Sequence, residues 1–248
     1  MRRTPAPLRR LLRAKAGVVI ALLAVGCATG PEYDPFKVPR GDLRRRVQTI
    51  ALLPLSADGY WVDRDRVSED LEPLIRNRLE DGGFRVVGSD AVREVLHQAS
   101  ADVGGLYDPE TGDVIEDRVA PMQSAVHREL RRLHDVDAIL STRIETVELL
   151  LTYRKIHYCG RKDDEIYWPG DLGIFTQTTS VLVLCLSTTL RDTESRVLYG
   201  IRHGLEPLAT YHRQTRALRP RDERLRDSSR LATAVDETLA PLATLQGD

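Results

Sequence analysis

The sequence predicts a mixed α/β domain: helices packed on a sheet that is part parallel and part antiparallel, in the order β-α-β-α-α-β-β-β-α. Three observations carry this. A short apolar run, Val47 to Leu55, is followed by an amphipathic stretch and a second short run, Phe84 to Val87. That is a βαβ unit, which makes its strands parallel. Thr178 to Leu190 is apolar at both parities, the mark of a central strand covered on both faces. Val197, Tyr199 and Ile201 then alternate with polar residues after Arg191-Asp192-Thr193-Glu194, giving an antiparallel hairpin.

The first strand stops at Pro54, and a loop with Gly59, Tyr60 and Trp61 follows. Val67, Leu71, Leu74, Ile75 and Leu79 share one helical face. Pro73 is disfavoured in a helix interior, so this helix is expected to start near Asp70 and to end at Gly82-Gly83. Ser89 is expected to cap a short helix through Val92, Val95 and Leu96. Residues 98–117 read as a long acidic loop, with Pro109 and Gly112 placed for a tight turn. Val119, Met122, Val126, Leu130 and Leu133 mark the third helix, and a strand runs from Ala138 to about Thr152. Residues 157–175 form a second long loop holding Tyr158, Tyr167 and Trp168. Residues 204–224 read as an Arg-rich loop, and Leu231, Val235, Leu239 and Leu242 mark the last helix.

Ahead of this domain the chain has another character. Arg2, Arg3, Arg9, Arg10, Arg13 and Lys15 precede an apolar run, Gly17 to Val25, too short to span a bilayer. Small residues then lead to Cys27. This is the layout of a secretory signal peptide. Leu23-Ala24-Val25-Gly26-Cys27 resembles the bacterial lipobox, which implies cleavage before Cys27 and lipid on its thiol and new amino group. Ala28 rather than Asp follows the cysteine, which by the sorting rule of such lipoproteins implies the outer membrane, facing the periplasm. The expected organisation is a signal peptide over 1–26, a lipidated cysteine and flexible tether over 27–46, and one globular domain over 47–248. Arg44-Arg45-Arg46 closes the tether.

Charge limits the partners. The chain has 36 basic and 37 acidic side chains. Without the six basic residues of the signal, 30 basic side chains face 37 acidic ones, and nucleic acid has no electrostatic footprint to meet. Besides Cys27 there are Cys159 and Cys185. An oxidising envelope allows them to pair, for roughly 3 kcal/mol. A simple hairpin pairing of their strands would separate them along its axis, so a bridge and a buried free thiol at Cys185 both stay open.

Ile50-Ala51-Leu52-Leu53-Pro54-Leu55, Gly83-Phe84-Arg85-Val86-Val87, Val136-Asp137-Ala138-Ile139-Leu140 and the hairpin with Arg191-Asp192-Thr193 and Leu198-Tyr199-Gly200 carry a resemblance. In order and in short motifs, Val47 to Leu205 resembles the envelope group of the TolB amino-terminal domain, the curli secretion lipoprotein CsgG and LpoB-type activators of penicillin-binding proteins. The resemblance implies binding and assembly without catalysis.

The residues show no motif for a nucleophile, phosphate loop or zinc protease, and no catalytic residue, metal ligand or cofactor is assigned. His157 and Cys159 lack a second pair for zinc, and the acidic loop does not match the calcium-loop spacing. His97, His127 and His134 read as surface residues, and the arginines from Arg213 to Arg230 as a solvated face. Tyr158, Tyr167 and Trp168 are the candidate partner surface, since aromatics are enriched at binding hot spots. The expected function is a non-catalytic binding or assembly module with an envelope protein partner. The alternative is a hydrolase of cell-wall material. Replacing Cys27 with Ala is expected to abolish fatty-acid labelling and to release the protein from the membrane fraction. Unchanged labelling and fractionation would refute lipidation.

Overall fold

The computed structural model describes residues 33–57, 59, 61–151, 156–163, 179–212 and 215–246. Residues 35–248 form one compact unit. Its first half contains α1 (Arg40–Arg46), β1 (Thr49–Leu52), β2 (Ser56–Ala57), α2 (Arg64–Asp81), β3 (Arg85–Val87), α3 (Ser89–Asp102), α4 (Glu116–His134) and β4 (Ala138–Leu151). Then come β5 (Ile156–Tyr158), β6 (Arg161–Asp163), β7 (Thr179–Asp192), β8 (Val197–Pro207), β9 (Ala209–His212), β10 (Thr215–Leu218) and α5 (Ser228–Ala243).

The main sheet has the order β3-β1-β4-β7-β8, with β2 beside β4. β1 runs parallel to β3 and β4, and β4, β7 and β8 are successively antiparallel. The predicted mixed sheet is therefore present. β1 is buried at all four positions. Ile50 and Leu52 belong to the cluster formed with α2 and α5, and Ala51 to the cluster formed with α3 and α4, so β1 is covered on both faces. The carboxylate of Asp137 accepts from the N–H groups of Gln48 and Thr49 at 2.9 and 3.0 Å, and the N–H of Asp137 donates to the Thr49 carbonyl at 3.0 Å. One side chain thereby ties the starts of β1 and β4 together.

α2 starts earlier than expected. Asp63 caps it, its carboxylate accepting from Arg66 N–H, and the helix runs through Pro73. Pro73 is exposed, so the carbonyl left without a donor, that of Glu69, lies on the solvent side where water can replace the bond. Val67, Leu71, Ile75 and Leu79 form the buried stripe. α2 packs against α5, whose Leu231, Val235, Leu239 and Leu242 are buried as the spacing predicts. At Gly82 a Cβ would come within 2.8 Å of the Ala243 backbone, so only glycine permits this approach. α3 begins at Ser89 itself and continues to Asp102, and α4 begins at Glu116, so the loop between them is shorter than expected. Part of the expected 204–224 loop is strand, in β8, β9 and β10.

The tether is also shorter than expected. The Gly200 N–H donates to the Pro35 carbonyl and the Lys37 N–H to the Leu198 carbonyl, both at 2.9 Å, which covers part of the outer edge of β8. Phe36 stands edge-on to Tyr199, ring centres 5.1 Å apart, and the Tyr199 hydroxyl donates to the Thr238 carbonyl. Leu43 of α1 is only 1% exposed. Residues 35–46 are thus part of the domain and not of a free linker. Leu43→Ala should cost about 3 kcal/mol, as for a core leucine. A tether residue would change stability by less than about 0.5 kcal/mol, and chemical denaturation separates the two outcomes.

Candidate functional site

The apolar residues that α3 and α4 bury on the sheet come from its parallel half: Ala51, Val87 and Ile139. Beyond them the same face of β4 and β7 turns polar, with Ser141, Arg143 and Glu145 opposite Thr189, Ser187 and Cys185. Where the helix layer stops, a groove of ≈ 560 Å³ runs beside α4. Leu53, Ile139, Ser141 and Arg191 line it from the sheet side, and Val119, Met122, Gln123, Val126 and His127 from α4. Leu96 and Leu106 lie toward one end and Ser195 at the other. From Val119 to His127 the helix rises about 12 Å.

The polar groups gather at the end near the β7–β8 turn. His127 Nδ1 is 3.0 Å from the Thr193 carbonyl. A carbonyl only accepts, so Nδ1 carries the hydrogen and Nε2 of the neutral ring is left as an acceptor. His127, expected at the surface, is therefore half-buried and oriented. Arg191 donates through Nη1 to the Ser195 carbonyl at 3.0 Å. It is the one charged side chain among the described residues that line the groove.

The far end of the groove has a lip. Leu106 accepts from Ile115 N–H and Asp108 N–H donates to Asp113, both at 2.8 Å, and Tyr107 and Val114 are bridged between them. The Asp108 carboxylate accepts from the N–H groups of Thr111 and Glu110, which hold its pKa below the usual carboxylate value. At least this acid of the expected acidic loop is used to shape the turn. Tyr107 is left 63% exposed and Val114 46% exposed, side by side.

A second crevice, of ≈ 780 Å³, lies at the carboxyl end of β1 between α2 and α3. Its lining is charged, with Arg64, Arg76 and Arg93 among Asp65, Glu69, Glu72 and Asp90. Glu72 accepts from the Ser89 N–H at 3.0 Å, from the Ser89 hydroxyl and from Arg76 at 3.2 Å, so a carboxylate of the chain already occupies the start of α3. The groove along α4 is the better candidate, because its lining is apolar with polar groups converging at one end.

Of the residues singled out by sequence, Cys27, Tyr167 and Trp168 lie outside the described residues, and Tyr158 belongs to β5, described by its backbone alone. Cys159 and Cys185 are joined in a disulfide, with Cα atoms 6.3 Å apart. The β5–β6 hairpin makes this reach, because Cys159 adopts φ 47° at its turn and its carbonyl accepts from Gly204 N–H at 3.0 Å, beside Cys185 on the neighbouring strand. Cys159 packs with Val147 and Leu149 against Val181, Val183 and Cys185.

The arginine run is not wholly solvated. Arg224 is 6% exposed; it donates to the carbonyls of Arg219 and Trp61 at 2.8 and 2.7 Å and lies over the Trp61 ring. Arg66 donates to the carbonyls of Arg224 and Leu225. Glu206 is 2% exposed, accepting from Leu225 N–H at 2.8 Å and from Arg219 at 3.3 Å. Sequence reasoning missed this clasp and the groove. The one local signal for the groove is the change along one face of β4 from Ile139 to Ser141, Arg143 and Glu145.

No family model matches the chain. The search of curated proteins found no match. Among solved structures, a PelC variant dodecamer from Paraburkholderia phytofirmans (space group C2) matches at a TM-score of 0.36 and 12% identity, over 79% of this chain and 90% of that chain. The PelC dodecamer from the same organism (space group P6) matches at 0.35 and 12%, over 80% and 89%. Likeness at this level assigns neither family nor function.

Glu206 gives the domain a pH signature. Burial pushes its pKa above the usual glutamate value, against the opposing pull of the Leu225 N–H and of Arg219, Arg230 and Arg224. A carboxyl whose folded pKa exceeds its unfolded value favours the folded state when protonated. Its contribution is therefore greatest at acid pH and falls as pH rises through the folded pKa. Glu206→Gln should remove that fall, so the Tm of the variant relative to the parent should rise as pH is raised above 4.5, the usual value. A difference that is flat or declines over that range would contradict the assignment.

Proposed function

We propose that the protein is an outer-membrane lipoprotein whose periplasm-facing domain is a non-catalytic binding and assembly module for an envelope complex. The observation that carries the binding role is the apolar groove along α4, with its polar end at Arg191 and His127 and its exposed Tyr107–Val114 lip. A recess of this composition suits recognition: apolar lining supplies affinity and a few placed polar groups supply orientation. The Cys159–Cys185 bond supports an oxidising compartment, as the lipobox-like Leu23 to Cys27 supports membrane attachment.

The packing of Pro35 and Phe36 sharpens the arrangement. Cys27 and Pro35 are eight residues apart, and eight residues of chain span at most about 28 Å. An anchor at Cys27 would keep the domain close to the membrane rather than on a long leash, which suits a partner that is itself membrane-bound or membrane-proximal.

A photo-crosslinking amino acid at Tyr107 in living cells tests the module. The expected result is one reproducible envelope protein, captured by the lipidated chain and lost when Val114→Asp places a charge on the lip. Absence of any such adduct, with wall-hydrolysing activity in the purified protein, would overturn the reading in favour of an enzyme.

A further inference from the structure

We propose that the groove along α4 binds a single-chain anionic amphiphile, a medium- to long-chain carboxylate, with its head at Arg191 and its chain running toward Leu96 and Leu106. This rests on the reading of the groove as a binding site and names what it takes. Three features point to that chemistry.

The first is charge. Arg191 is the one charged side chain among the described lining residues, and no carboxylate opposes it there. Nη1 is held by the Ser195 carbonyl, which fixes the guanidinium at the mouth and leaves its other N–H groups for a ligand. A planar guanidinium matches a carboxylate through two parallel hydrogen bonds.

The second is the gradient along the groove. Arg191, Ser195 and His127 stand at one end beside Ile139 and Val126, Gln123, Ser141 and Leu53 lie midway, and Leu96, Leu106, Val119 and Met122 lie beyond. The Ser141 hydroxyl already donates to the Thr189 carbonyl at 3.3 Å. Past Gln123 the described lining side chains offer nothing to an amide. A peptide lying there would bury N–H and C=O groups without partners, at a cost a hydrocarbon chain does not meet. This favours an acyl chain over a peptide.

The third is adaptability. Met122 lies 9% exposed at the middle of the apolar stretch, and a thioether side chain accommodates chains of different length and curvature better than a branched one.

Met122 also supplies the test, because the chain has two methionines, Met1 and Met122. The full chain, labelled with ¹³C-methyl methionine and held in lipid nanodiscs, is titrated with hexanoate, octanoate and decanoate, with decanol as the neutral control. The expected result is a saturable shift of the Met122 methyl signal. Affinity should rise about four-fold per added methylene and then level off once the groove is filled. Arg191→Gln, at an exposed site and with an unchanged ligand-free Met122 signal, should weaken decanoate about ten-fold or more while leaving decanol unchanged. No Met122 shift, or equal binding of decanoate by parent and variant, overturns the inference. Tighter binding of trileucine than of decanoate also overturns it, in favour of a peptide ligand. If crosslinking from Tyr107 succeeds while Met122 stays silent, this inference fails and the binding-module reading stands. The reverse pattern supports the ligand and removes the protein partner.

Discussion

The structure depends on the pairing of β4 with β7. Fourteen consecutive residue pairs, from Ala138 opposite Asp192 to Leu151 opposite Thr179, run without a register shift. β4 is also the partner of β1, so it joins the parallel half of the sheet to the antiparallel half. A one-residue slip would exchange the two faces of the ladder. Ala138, Leu140 and Ile144 would leave the cluster with α2 and α5, and Ser141, Arg143 and Glu145 would enter it. That penalty holds the register.

One face of this ladder carries a continuous apolar patch over its middle, and the other is divided. On the first, Leu184, Leu186 and Leu190 join Ala138, Leu140 and Ile144 beneath α2 and α5. On the second, an apolar patch at Ile139 serves α3 and α4, and a separate one at Val147, Leu149, Val181 and Val183 is met by Cys159. Between them lies the polar belt, in which Arg202 reaches Glu145 at 2.6 Å across the sheet. The disulfide fits this division. A short hairpin has little area of its own to bury, and a covalent link can hold it on a small apolar patch where packing alone is marginal.

Much of the fold was legible because it rests on periodicity. The stripe Leu231, Val235, Leu239 and Leu242, the double-sided strand at β7 and the βαβ start each use a pattern confined to one element. What was not legible depends on where an element sits. Pro73 looked like a boundary because the cost of an internal proline is local, while its tolerance comes from the solvent side it faces. Phe36 and Leu43 looked like tether because their neighbours are Pro, Gly and Arg; their burial is decided by Tyr199 and by the end of α5, far along the chain. Arg224 looked solvated because arginine usually is. Its guanidinium is accommodated by carbonyls of Trp61 and Arg219, and Glu206 adds a charge of opposite sign nearby. The groove draws on two strands, two helices and three loops, so no single stretch announces it.

The groove exists because a helix layer built for a parallel sheet ends over an antiparallel one. The βαβ crossovers place α3 and α4 over β3, β1 and the start of β4, and β8 follows β7 through a tight turn; among the described residues no helix lies between β4 and β8. The flank of α4 that faces β7 therefore has an open sheet beside it. Covering that flank with a further helix would complete a closed layer and remove the recess. Leaving it open exposes apolar surface at Leu53, Leu96, Leu106 and Val119, each only partly buried. A soluble domain tolerates such a surface when something else covers it for part of the time. The β7–β8 turn, with Ser195 at φ 66° and Arg191 held against it, stands at the end where a charged group can enter from water. Topology thus supplies the recess, and the turn supplies its direction.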